Sequence, residues 1–104
     1  MFTRKEVILL RKLLFSDNFQ PGTKEHITEF LDRGKSTVTR EFVDKLIDLS
    51  CLTFNGTANV KVGNRYDERP IYDRDRKRLK ELWKQTEEYK LSYAIIDEDY
   101  ELIV

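Results

Sequence analysis

Residues 35–52, KSTVTREFVDKLIDLSCL, constrain the fold more than any other stretch of the chain. Ser36 is suited to cap a helix start, because its hydroxyl accepts a hydrogen bond from a free N–H of the first turn. After it, Val38, Phe42, Val43, Leu46, Ile47 and Leu49 recur at helical spacing. Thr37, Arg40, Glu41, Asp44, Lys45 and Asp48 make the other side. A helix with one apolar and one densely charged face needs a core behind it and water or a partner in front. Asp32-Arg33-Gly34 breaks the chain before this helix, and a short apolar run, Cys51 to Phe54, follows it.

The segments upstream supply that core. Thr3-Arg4-Lys5-Glu6 reads as a capping box, with Phe2 and Val7 at the spacing of a hydrophobic staple. The first helix is expected over about residues 4–15. Val7, Ile8, Leu9, Leu10, Leu13 and Leu14 give it a face wide enough to be packed by two other helices. Ser16 to Gly22 is turn-rich, with Phe19 as a plug onto the core. Thr23 caps a second helix whose buried stripe is Ile27, Phe30 and Leu31, and Gly34 is the expected left-handed terminator. His26, the only imidazole, falls near the polar side of that helix and is read as solvated.

Downstream the period changes. Cys51 to Phe54 suits a short strand, Asn55-Gly56 signals a turn, and Asn59-Val60-Lys61-Val62 alternates as a half-buried strand does. Gly63-Asn64 starts a second turn, Arg65 to Arg69 reads as a polar loop, and Pro70-Ile71-Tyr72 as a returning strand. The expected unit is a β-hairpin over about residues 58–73. Asp73 or Asp75 then caps a fourth helix over about residues 74–90, with Leu79, Leu82, Trp83, Thr86 and Tyr89 along one face. Residues 91–104 are β-rich around the acidic turn Asp97-Glu98-Asp99, and form an acidic tail.

Composition narrows the function. A length of 104 residues suits one domain, 1–104, of class α+β. One cysteine and one histidine leave neither an internal disulfide nor a Cys/His zinc site, and Cys51 reads as a small core residue. No glycine-rich phosphate loop, metal-ligand spacing or nucleophile–base order is present, and the acidic turn lacks EF-hand spacing, so neither an enzyme nor a cofactor is expected. No apolar run approaches the roughly 20 residues of a membrane span. The apolar N-terminal stretch is interrupted by Arg11 and Lys12 and lacks a small-residue cleavage site, so the expected compartment is the cytoplasm. The formal charge is zero, with 19 basic and 19 acidic residues, but it is unevenly spread. Residues 60–84, most of the hairpin and of the fourth helix, are net basic; residues 85–104 are net acidic. A block of one sign points at a partner of the other.

Two motifs carry a resemblance. Leu31-Asp32-Arg33-Gly34-Lys35-Ser36-Thr37-Val38-Thr39-Arg40, followed by Phe42 to Leu49, resembles the turn and recognition helix of winged helix-turn-helix regulators. Arg69-Pro70-Ile71-Tyr72, followed by a charged helix, resembles their wing exit. The likeness spans about residues 3–85 and is to small prokaryotic or viral transcription regulators. Here Arg33 stands where the family's turn usually has an apolar residue, Ser50 where it often has glycine, and the helix carries Glu41, Asp44 and Asp48. The resemblance implies a three-helix core, a β-hairpin wing and a C-terminal amphipathic helix. It implies sequence-specific binding of double-stranded DNA, in a prokaryotic or virus-infected cell, with no small-molecule ligand. The residues for DNA are then Lys35, Ser36, Thr37, Thr39, Arg40 and Lys45 on the helix, and Lys61, Arg65 and Arg69 on the wing. Arg40 is the expected guanine reader. Leu79, Leu82, Trp83, Thr86 and Tyr89 are then either a homodimer seam or a face that packs back on the first helix. The zero net charge and the acidic residues on the helix also permit a module of this type that binds protein and not DNA.

Overall fold

The computed structural model describes residues 2–86. The chain runs α1 (Arg4–Phe15), α2 (Lys24–Leu31), α3 (Thr37–Asp48), β1 (Leu52–Val62), β2 (Arg65–Arg74) and α4 (Arg76–Lys84). This is a small α+β fold of four helices and a two-stranded antiparallel hairpin. No helix among the described residues is long and apolar enough to cross a membrane. The part of the expected fourth helix past residue 86, Tyr89 with it, and the acidic tail lie outside the described residues.

α1 starts as its sequence dictates. The Thr3 hydroxyl accepts from the Glu6 N–H at 3.1 Å, and the Glu6 carboxylate accepts from the Thr3 N–H at 2.9 Å. Phe2 and Val7 are buried on either side of the box. Leu9, Leu10, Leu13 and Leu14 are buried too, and the helix packs against α2, α3 and α4. Only Ile8 of its expected apolar face turns outward. The far end of α1 is closed from a distance. Arg74 Nη1 donates to the carbonyls of Leu13 and Ser16, each at 2.7 Å, so the end of β2 satisfies carbonyls that a helix C-terminus leaves open. Its guanidinium also lies over the Phe19 ring, which packs edge-on against Phe30 as the expected plug.

α3 lies on α2, and its buried stripe is Thr39, Phe42, Val43 and Leu46. Phe42, Val43 and Leu46 are where the sequence expects them, and the correction is at the two ends of the stripe. Val38 and Leu49, expected in the core, are 47% and 42% exposed. The stop of α3 is a Schellman turn: the Ser50 N–H donates to the Ile47 carbonyl at 3.0 Å and the Cys51 N–H to the Leu46 carbonyl at 2.8 Å. Ser50 takes the left-handed conformation this turn requires, with φ 61°. Cys51 is buried, and its carbonyl accepts from the Asp75 N–H, which joins the hairpin base to the start of α4.

The hairpin is longer than its sequence suggests. Arg65 to Arg69 is not a loop but the first half of β2, and the only turn is Gly63-Asn64, with Gly63 at φ 65°. Asn55-Gly56 makes no turn. Its positive φ is used in a β-bulge, where the register slips between Phe54↔Tyr72 and Thr57↔Pro70. Pro70, which has no N–H to give to a ladder, sits at that irregularity. Eleven residues of β1 extend about 35 Å. A third piece of backbone steadies the base: Gly22 and Tyr72 exchange both hydrogen bonds, at 3.1 and 2.7 Å.

α4 is capped by Asp75, whose carboxylate accepts from the Arg78 N–H. It lies against α1, with Trp83 edge-on to Phe15 at 5.6 Å. Leu79, Leu82, Trp83 and Thr86 are at most 8% exposed. These four side chains are therefore covered by their own chain. Of the two expectations for this face, packing on α1 is the one seen among the described residues.

Candidate nucleic-acid interface

The turn into α3 is organised by Asp32. Its carboxylate accepts from the Gly34 N–H at 3.0 Å, the Ser36 N–H at 3.1 Å, the Ser36 hydroxyl at 2.8 Å and the Thr39 hydroxyl at 2.9 Å. These donors, the Ser36 hydroxyl foremost, hold the Asp32 carboxyl well below the usual carboxylate range. A single side chain thus ties the end of α2 to the cap and first turn of α3. Sequence reasoning treated Asp32 only as a helix breaker. The available signal was an aspartate four residues before a serine cap, able to bond backbone a few residues on. Gly34 is not the left-handed residue here; Lys35 is, at φ 48°, because the turn closes by a Lys35 N–H bond to the Asp32 carbonyl.

Two of the expected DNA contacts belong to this turn. Thr39 is fully buried, so it is corrected from a surface contact to a strut. Ser36 is the helix cap, accepting from the Thr39 N–H, and its hydroxyl proton goes to Asp32.

Arg40 and Lys35 come together, but around Glu25 of α2. Arg40 Nη1 lies 2.7 Å from Glu25 Oε1, and Lys35 Nζ 3.6 Å from Oε2. Arg40 Nε also donates to the Lys35 carbonyl at 3.0 Å. The Arg40 bond pulls the Glu25 carboxyl below its ordinary value. Arg40 is thereby held in place, two of its N–H groups are engaged, and the trio Glu25, Lys35 and Arg40 keeps one net positive charge. No local spacing in the sequence links position 25 to positions 35 and 40. The acid–base pattern of α3 is also changed by α2, since Lys24 Nζ meets Asp44 Oδ1 at 2.6 Å, which raises the Lys24 pKa. Lys45 turns back to α1, with its ammonium over the Phe2 ring and 4.0 Å from Glu6. What remains outward on the first turns of α3 is Thr37, Val38 and Glu41.

On the hairpin, opposed residues share a face. Register therefore places Arg65, Asp67 and Arg69 with Val62, Val60 and Ala58, and places Lys61 on the other face with Asn59, Tyr66 and Glu68. The three expected wing cations are not one cluster. Arg65 and Arg69 share Asp67, at 3.6 and 3.8 Å, and Lys61 stands apart on the fully exposed side. Tyr66, its partner across the strands, is 67% exposed.

Comparison with protein-family models, with curated proteins and with solved structures finds no match to this chain. The class that its geometry defines, over the described residues, is a small α+β fold of four helices and a two-stranded antiparallel hairpin.

Proposed function

We propose that the chain is a winged helix-turn-helix protein that binds double-stranded DNA as a transcription regulator. α3 enters the major groove and the hairpin lies along the backbone or minor groove. One observation carries this: α3 is braced from behind by α1, α2 and the Asp32 turn, its outer face stays exposed, and the chain runs from it into a ribbon that carries Lys61, Arg65 and Arg69. The Gly22–Tyr72 pairing supports the fold assignment, since it lays the segment between α1 and α2 along the hairpin. A braced helix presents its side chains at fixed positions, as base reading requires. In this proposal Lys35 and Arg40 meet phosphates at the start of α3, and Arg65 and Arg69 track the backbone.

The second reading, a winged-helix module that binds protein, is favoured by Glu41 and Asp48. Both are exposed on α3 and make no ion pair among the described residues. The hairpin separates the two. Arg65→Ala with Arg69→Ala removes one exposed and one half-buried cation of the hairpin, outside the core. Affinity for random-sequence duplex should fall, and the slope of log affinity against log salt should flatten by about one to two. Unchanged affinity and slope would favour the protein-binding reading.

A further inference from the structure

The side chains of α3 sort by what they already touch. Ser36 and Thr39 are bonded to Asp32, Arg40 to Glu25 and the Lys35 carbonyl, Asp44 to Lys24, and Lys45 to Phe2 and Glu6. Among the described residues Thr37, Val38 and Glu41 have no such partner. They are also neighbours: positions 37 and 41, and 38 and 41, meet on one helix face. Val38 is 47% exposed. The patch therefore offers one hydroxyl, one isopropyl group and one carboxylate, on the most firmly braced turns of the helix.

Each group has a distinct counterpart in the major groove. The only apolar group displayed there is the C5-methyl of thymine. A carboxylate accepts and never donates, so it fits the amino groups of cytosine or adenine and is repelled by the O6 and N7 acceptors of guanine. Resting on the DNA-binding proposal above, we infer that Val38 reads a thymine methyl and that Glu41 excludes guanine from the neighbouring base position. Glu41 adds discrimination, not affinity, because phosphates repel it while a wrong base is rejected by it. The acidic residue that weakens the basic character of α3 thereby acquires a use.

The test is a selection from a random-sequence duplex library with the full chain, followed by resynthesis of the recovered duplex with deoxyuridine replacing thymidine one position at a time. Deoxyuridine differs only in lacking the methyl. The expected result is about a fourfold loss of affinity at one thymine, the worth of burying one methyl group. Val38→Ala, at a residue 47% exposed, should bind the thymine and uracil forms alike. Guanine should be absent beside that thymine in the recovered duplexes. Equal affinity of the native chain for both forms, or discrimination retained by Val38→Ala, would overturn the assignment of Val38. Frequent guanine beside the thymine would overturn that of Glu41. No enrichment of any sequence together with no duplex binding at low salt would overturn the DNA-binding proposal itself, and this inference with it.

Discussion

Replacing Ser50 with glycine should stabilise this protein. Ser50 occupies the left-handed position of the Schellman turn that ends α3, at φ 61°. For a residue with a Cβ, that conformation costs roughly 1–2 kcal/mol, and glycine avoids it. Glycine also gains more freedom in the unfolded chain, which offsets about 0.5–1 kcal/mol. Ser50 is exposed and its hydroxyl makes no hydrogen bond among the described residues, so nothing else is lost. The balance is a gain of about 0.5–1 kcal/mol. For a domain of this size it corresponds to a rise in Tm of roughly 3–6 °C. Thermal and urea unfolding followed by circular dichroism would read it, with Ser50→Ala as the control. Alanine keeps the Cβ and should change stability by only a few tenths of a kcal/mol. A glycine variant no more stable than the native chain, or an alanine variant that gains as much, would refute the assignment of strain to this residue.

Acid should loosen the turn before α3. The Asp32 carboxyl is depressed in the folded state, chiefly by the Ser36 hydroxyl, so the unfolded chain binds the extra proton first. Its contribution is complete above the unfolded value near pH 4 and falls away as pH drops further. The Tm difference between the native chain and Asp32→Asn should be constant from pH 5 to 8 and shrink below about pH 4; a difference that persists at low pH would contradict this. Trp83→Ala should cost about 3–5 kcal/mol in urea unfolding, because the ring is 5% exposed and packed on Phe15. The milder Trp83→Phe should leave the light-scattering mass equal to that of the native chain; a lower mass would restore this helix face as a subunit seam.

Local signals were legible where local chemistry decides structure. The Thr3–Glu6 box, the Thr23 and Ser36 caps, the Gly63-Asn64 turn and the leucines of α1 all act within a few residues, and the elements begin where these signals stand. The phase of α3 was legible too, in the 39, 42, 43, 46 spacing, but the hydroxyl of Thr39 disguised a buried position and the isopropyl of Val38 an exposed one. Thr39 tolerates burial because its hydroxyl donates to the Asp32 carboxylate. The hairpin was foreshortened because Arg65 to Arg69 show no apolar alternation. A ribbon that projects into solvent buries neither face fully, so the usual strand pattern has no cause. Asn55-Gly56 supplied a positive φ, which suits a bulge as well as a turn, and only the pairing partner decides between them. Of the candidate site, the cations were visible and their counter-ions were not. Glu25 lies fifteen residues from Arg40, and Lys24 pairs with Asp44 across a helix interface. Sequence spacing carries no trace of such contacts.

The central claim is DNA binding, and fluorescence anisotropy of a labelled random-sequence duplex titrated with the native chain at low and at moderate salt tests it directly. The account predicts binding at low salt that weakens steeply as salt rises. Lys35, Arg40, Lys61, Arg65 and Arg69 would set a slope of roughly −3 to −5, each phosphate contact contributing about −0.9. No binding at low salt, or binding indifferent to salt, would contradict it.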